Sequence, residues 1–316
     1  MTTQSLPTRD GFGEELVELG KVNDKIVVVS ADLEDSTRAE YFANAFPERF
    51  FRVGIAEQDT VGMACGLAKE GFIAFVNSFA VFLTNRAFDM LRIDVCYNKS
   101  NVKVICSHMG VTVGEDGATA QSLEDVALMR VLPNMKVIVP VDAIEARQAT
   151  RAIVKETGPA YLRLSRFKFP ILTDINDRFE IGKAKVLRPG KDVTLIGCGA
   201  LVSESLRSAE ILKKDGIDAR VINMHTIKPI DRDCIMKAAK ETGAIVTAEE
   251  HQIHGGLGSA VAEVVTQTQP VPIEFIAIHD TFGTTGKPEE LLVHFHLKDV
   301  DIVQAAKRAI KRKSLK

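Results

Sequence analysis

Charge of one sign is nearly absent from the balance of this sequence. Its 40 lysines and arginines meet 42 aspartates and glutamates, for a formal net charge of −2. A chain this close to neutral presents no broad field to nucleic acid or to an anionic membrane surface, so neither is expected as its partner. No apolar run approaches the length that crosses a bilayer. Cysteine is sparse: Cys65, Cys96, Cys106, Cys198 and Cys234 form no C-x-x-C pair and no metal-ligand spacing. An odd, scattered set in apolar surroundings reads as reduced core thiols of a cytoplasmic protein. The opening residues, MTTQSLPTRDGFGEEL, lack the apolar stretch of a signal peptide. There is no internal repeat, no low-complexity tract, no Walker A loop and no G-x-S-x-G elbow. The basic ending, KRAIKRKSLK, reads as a solvated helix end whose cations complement the helix dipole.

What is present is apolar material arranged with a period. Hydrophobic residues make up 46% of the 316 and charged residues 26%, which suits two globular domains, each able to bury a core. Short β-branched runs at 25–31, 72–78, 102–108, 135–141 and 160–165 alternate with segments of helical spacing. Near-continuous apolar strands separated by helices predict a parallel sheet covered on both faces. The pattern fails near 167–190, where two prolines and mixed charges read as a linker with short strands of its own. It resumes with DVTLIGCG, ARVINMH, AIVTAEE and PIEFIAIH. The expected fold is therefore α/β, in two domains that are each a mostly parallel sheet flanked by helices. Residues 1–168 form the first, 169–190 the linker and 191–316 the second. Ligands of such sheets gather at the carboxyl ends of the strands.

Two tempting motifs do not survive inspection. GCGALV (197–202) has Val202 where a dinucleotide fingerprint needs its third glycine, and no acidic residue ends the next strand, so a tight turn is expected. HQIH (251–254) has two histidines but no further ligand nearby, which favours a polar loop over a metal site. The stretch FFRVGIAEQDTVGMACGLAKEGF (50–72) is different. Glu57 opens a helix carrying Gly62, Ala64, Gly66 and Ala68, whose backbone another element can approach closely. Taken alone, Glu57 is an ordinary first-turn acid, stabilised by the helix dipole by ~0.5 kcal/mol. The next strand, however, runs into Phe79 and Phe82, three apart and on one face, where they could sandwich a flat ring. A carboxylate, a close-packing helix and an aromatic shelf at consecutive strand ends make a joint case for a site.

These residues carry a resemblance. GIAEQ with its small-residue helix, SFAVFLTNRAFDMLR, SHMGVTVGEDGATAQSLEDVALMRVLPNMKVIVPVD, YLRLSR, HQIHGGLGSAVAEV and DTFGTTGKPEELL together resemble the transketolase family of thiamine-diphosphate enzymes over essentially the whole chain. The resemblance implies a pyrimidine-binding domain followed by the transketolase C-terminal domain. It implies that Glu57 hydrogen-bonds the pyrimidine ring nitrogen of the cofactor and tunes its proton transfer. Phe79 and Phe82 stack on the pyrimidine, and the cofactor itself carries the hard chemistry. On the substrate side it implies transfer of a two-carbon ketol unit between sugar phosphates in the pentose phosphate pathway. Arg9, Ser36, His108 and Arg166 fall at the family's phosphate contacts, and His108 counts with Glu57 among the catalytic groups. Asp116 falls where an aspartate meets a sugar hydroxyl.

Two departures qualify the match. Four residues after Asp116 stands Ala120, where a histidine or glutamine usually faces the sugar, and the adjacent Gln121 is the candidate substitute. More consequential, no GDG occurs in the chain, whereas the family holds the diphosphate and Mg²⁺ of thiamine diphosphate on an N-terminal domain with that signature. The chain thus resembles the C-terminal subunit of a split transketolase. An N-terminal subunit would supply the metal, and two copies of each would form a dimer of pairs. Alternative readings are a deoxyxylulose-phosphate-synthase-like enzyme, a 2-oxo acid dehydrogenase beta-subunit-like enzyme, or, in another class, a non-catalytic scaffold subunit.

Overall fold

The computed structural model describes residues 4–314. Fourteen strands run through it. β1 (Ser5–Pro7), β2 (Ile26–Ser30), β3 (Phe50–Arg52), β4 (Ile73–Phe79), β5 (Val102–Ser107), β6 (Lys136–Ile138), β7 (Ala160–Arg163) and β8 (Lys168–Pro170) come first. β9 (Lys185–Arg188), β10 (Val193–Gly197), β11 (Ala219–Asn223), β12 (Thr226–Lys228), β13 (Ile245–Gln252) and β14 (Ile273–Ile278) follow. A seven-stranded sheet has the order β12-β6-β7-β5-β4-β2-β3, and a five-stranded sheet the order β14-β13-β10-β11-β9. β1 and β8 form a separate antiparallel pair. Within the large sheets every pairing is parallel except those of the edge strands β12 and β9. The expected α/β architecture is thus observed, and its cause is visible in burial: every side chain of β2, β5 and β10 is shielded on both faces.

The five apolar runs read as strands in the first half are β2, β4, β5, β6 and β7, and the four in the second half are β10, β11, β13 and β14. β3 has no such signature. It is only three residues long at a sheet edge, too short for a run or an alternation to declare itself. The irregular segment after 167 contains β8 and β9, and β9 closes the edge of the second sheet against β11. β12 crosses the other way, adding an antiparallel strand from the second half to the first sheet at β6.

The two halves share buried polar chemistry as well as that strand. Arg163 holds Asp125 through two contacts of 2.6 and 2.9 Å, both residues fully buried, and donates to the Glu250 carbonyl at 3.1 Å. Burial alone would raise the Asp125 carboxyl, but Arg163 holds it below the usual range. The C-terminal helix Asp299–Lys313 is docked at its basic end: Arg308 and Arg312 pair with Glu274 at 2.9 and 2.6 Å, and Lys313 donates to the Thr242 carbonyl at 2.7 Å. Those three cations anchor a helix that sequence alone left as a solvated end.

Candidate active site

In the first sheet the strand order reverses between β2, flanked outward by β3, and β4, which leads on to β5 and β7. The carboxyl ends of strands at such a point form a crevice. Each residue singled out on the first domain's later loops follows one of those ends. Ser36 lies beyond β2, Glu57 beyond β3, Phe79 at the end of β4, His108 one residue after β5 and Arg166 after β7. Arg9 comes from the opposite direction, at the start of the helix Thr8–Val22, and its backbone N–H reaches the Ser165 carbonyl.

Glu57 opens the helix Glu57–Lys69 and is 5% exposed. Its Oε1 accepts from Arg86 Nη1 at 2.7 Å. The guanidinium carbon of Arg86 also stands 4.3 Å from the ring centre of Phe82. Phe82 stacks on Phe79 with centroids 5.6 Å apart and an interplanar angle of 17°, and Phe79 stacks on His108 at 3.6 Å and 18°. The order is a column: His108, Phe79, Phe82, Arg86, with Glu57 bonded to its end. In this structure the two phenylalanines lie against each other, with no gap for a ring between them. A ring inserted between two others needs about 7 Å, twice the ~3.5 Å of carbon contact, and here the strand-to-helix turn has closed them on each other. Arg86 lies against the Phe82 ring. Arg86 was missed in the sequence although a signal exists: it is four residues after Phe82 on the helix Ala80–Arg86, the spacing at which helical side chains meet.

Beside this column is an open cavity of ≈ 380 Å³ whose wall includes Arg9, Ser36, Arg38, His108 and Arg166. Arg9 donates to the Ser36 carbonyl at 2.6 Å, while its buried Nε has no hydrogen-bond partner and lies 3.9 Å from Asp10 Oδ1. Burial lowers the pKa of Arg9, and the neighbouring charges of Arg38 and Arg166 lower it further. Burial, assisted by Arg9, Arg166 and Arg38, brings His108 down to about 3. Its ring is therefore neutral at working pH, with Nδ1 2.7 Å from the Ser107 hydroxyl. Such a ring offers a single N–H and no charge to a ligand. Arg166 is bridged to Asp116 at 3.0 Å, so Asp116 stands at the rim, beside the phosphate-type residues.

Gln121 is not part of that wall. It is buried, and its amide donates to the Thr284 carbonyl at 2.9 Å and the Gly114 carbonyl at 3.2 Å, bracing the 111–116 turn against the second half of the chain. The turn is held from the same side by Glu250, which accepts from the Thr112 backbone at 2.5 Å and its hydroxyl at 3.2 Å. In HQIH both ring nitrogens of His251 are engaged, Nδ1 with the Gln252 carbonyl at 2.7 Å and Nε2 with the Ala127 N–H at 3.3 Å. GCGALV is a turn with Gly199 at φ 53°, packed toward Val139 and Met109.

The chemistry present fits one end of thiamine diphosphate. A buried carboxylate beside an aromatic face is what an aminopyrimidine requires, and both are met by Arg86, itself flat and rich in N–H. Comparison with known proteins agrees with this geometry. Residues 4–170 match the transketolase pyrimidine binding domain and residues 182–302 the transketolase C-terminal domain. The chain belongs to the transketolase family. It is 45% identical over 307 residues to a protein of Methanocaldococcus jannaschii named as a transketolase C-terminal section, covering 96% of each chain. It is 40% identical over 308 residues to the 6-deoxy-6-sulfo-D-fructose transketolase subunit SqwH of Clostridium sp. (strain MSTE9), covering 98% of this chain and 96% of that one. A solved structure described as a split gene transketolase, inactive beta4 tetramer, superposes with a TM-score of 0.90 at 45% identity, covering 98% of this chain and 100% of that chain.

Proposed function

We propose that this chain is the C-terminal subunit of a two-subunit, thiamine-diphosphate-dependent transketolase that moves a two-carbon ketol unit between sugar phosphates. The observation that carries the reading is the double role of His108, which stacks on Phe79 in the aromatic column and also lines the arginine-rich cavity. A cofactor-type shelf and an anion pocket thus share one side chain, an arrangement suited to a sugar whose carbonyl end reacts while its far end is held by charge. When bound, thiamine diphosphate supplies the nucleophilic carbon. Glu57 would hold a proton at the pyrimidine nitrogen, Phe82 the ring face, and Arg9, Ser36, His108 and Arg166 the terminal phosphate. Bidentate guanidinium geometry suits phosphate oxygens.

The diphosphate and its Mg²⁺ would be held by an N-terminal subunit, since the chain contains no GDG signature. The neighbouring structure, described as an inactive beta4 tetramer, supports that dependence. The arrangement would be two copies of each subunit, in the cytoplasm, where the five cysteines, unpaired here, stay reduced. The test is to purify the chain alone and with a candidate partner. Titration of thiamine diphosphate and Mg²⁺ by calorimetry, with an assay of ketol transfer, should give weak binding and no turnover for the chain alone, and both in the mixture. Tight cofactor binding and turnover by the chain alone would overturn the reading.

A further inference from the structure

Arg38 stands among the cavity residues although neither the motifs nor their spacing assign it a role. It ends the short helix Glu34–Thr37 in the left-handed conformation, φ 66°, ψ 11°. That region is unfavourable for a bulky side chain, and such residues persist where their surroundings fix them. The surroundings here do so in three ways. Gly13 leaves a notch in the helix Thr8–Val22: a Cβ there would fall 2.7 Å from the Arg38 Cβ and 2.8 Å from its carbonyl oxygen. Asp10, on the same helix, accepts from Arg38 Nε at 2.8 Å. The Asp35 carbonyl accepts from Nη1 at 3.0 Å. With Nε and Nη1 engaged, Nη2 remains for a ligand in the cavity that Arg9 and Arg166 also line.

Closing a four-residue helix does not require a guanidinium. Glycine takes the left-handed position at no steric cost, and the arginine adds only charge and N–H donors. We propose that Arg38 is a specificity-determining residue of the transketolase reaction, a third guanidinium that reads the terminal group of the sugar and favours a doubly charged phosphate over a sulfonate or a plain hydroxyl. The inference rests on the reading of this cavity as the sugar-phosphate site. An added cation stabilises a ligand in proportion to the ligand's charge, so its removal should act most on phosphate, less on the singly charged sulfonate, and least on the uncharged sugar. Because the group it touches is remote from the reacting carbons, the effect should fall on KM.

The experiment uses the enzyme assembled from both subunits, with a phosphorylated ketose, its sulfonate isostere and the unphosphorylated ketose as parallel donors. In Arg38→Met the ratio of kcat/KM for phosphorylated over unphosphorylated donor should fall by about 10-fold or more, through KM, with the sulfonate ratio falling less. Arg38→Lys should recover part of the loss. Inorganic phosphate, titrated by calorimetry into the wild-type and variant chains, should bind more weakly to Arg38→Met. Arg38→Gln, which keeps N–H donors for Asp10 and the Asp35 carbonyl but removes the charge, should give a loss in the same sense, and it keeps the test open if Arg38→Met fails to fold. Arg9→Met and Arg166→Met run beside them. Equal loss on all three donors, or an intact ratio in Arg38→Met while Arg9→Met and Arg166→Met lose theirs, would overturn the role of Arg38. If none of the three arginine variants changes the ratio, the phosphate reading of the cavity falls with it.

Discussion

At the scale of single residues, the contact between Arg86 and Glu57 sets the first question for the chemistry. Under the proposed function the Glu57 carboxyl faces the pyrimidine of the cofactor, and in this structure Arg86 occupies that carboxyl at 2.7 Å. On that reading Arg86 and the pyrimidine compete for Glu57. Replacing Arg86 by Leu removes the competitor while keeping apolar cover on Phe82. Calorimetry on the assembled enzyme should show tighter thiamine diphosphate binding, by several-fold, in Arg86→Leu. Weaker binding would mean that Arg86 belongs to the cofactor-bound state. Glu57→Gln keeps the size and packing of the carboxylate but cannot exchange its proton. Deuterium exchange into bound cofactor should slow by roughly 10²–10⁴-fold, the range of general acid–base contributions, with cofactor affinity largely kept. A wild-type exchange rate in the variant would remove Glu57 from the mechanism.

At the scale of elements, the helix Glu57–Lys69 presents two unlike faces. Val61, Ala64 and Cys65 are buried against the sheet, while Gly62, Met63 and Gly66 are exposed. Nothing lies within 4 Å of where a Cβ would stand at Gly62 or Gly66. Glycine inside a helix costs roughly 1 kcal/mol relative to alanine, so two on an open face fit a surface shaped for the close approach of another chain. Exposed Ile55 nearby, with Ile93 and Tyr97 on the 91–97 segment that packs beside the helix, adds apolar area. Gly66→Leu should leave the melting temperature of the lone chain unchanged or raise it, while self-association and assembly with the partner, followed by sedimentation, weaken by more than 10-fold. Normal assembly of the variant would show that this face is not an interface.

For the whole molecule, the joint between the halves is built from buried ionisable groups, and pH should act there. Burial pushes the Glu250 carboxyl up to about 7, against the pull of its Thr112 hydrogen bonds and of Arg163, with Asp125 opposing that pull. Between the unfolded value of 4.5 and about 7 the folded chain holds a proton that the unfolded chain has released. Stability from this group is therefore complete below pH 4.5 and is lost as pH rises through 7, a span worth ~3 kcal/mol. Glu250→Gln keeps the acceptor for Thr112 and removes the titration. Its melting temperature relative to wild type should be higher at pH 8 than at pH 5, and a difference independent of pH would show that Glu250 is not the linked group. His108 and His225, brought by burial to about 3 and about 4, act in the opposite sense. Their unfolded forms take up protons below 6.5, so they favour folding at higher pH, and they must stay in place in both proteins for the comparison to isolate Glu250.

The sequence by itself determined the alternation of apolar strands with helices, because burial on both faces of a parallel sheet demands runs that are visible residue by residue. It also determined which residues occupy three of the strand ends, since Phe79, His108 and Arg166 each sit at or just past the end of such a run, whereas β3, before Glu57, left none. Only the tertiary structure decided how those ends meet. Sequence spacing placed Phe79 and Phe82 on one face, but the turn between β4 and the next helix closed the gap between their rings. Adjacency to Ala120 made Gln121 the candidate for the sugar, whereas the Thr284 carbonyl, far along the chain, takes its amide in this structure. β12 joins the first sheet from across the domain division and β9 closes the second from the linker, and edge strands of three and four residues leave no periodic trace. Arg38 enters the cavity through one left-handed residue and a notch at Gly13, a local conformation and a close approach between segments 25 residues apart, neither of which a linear pattern encodes.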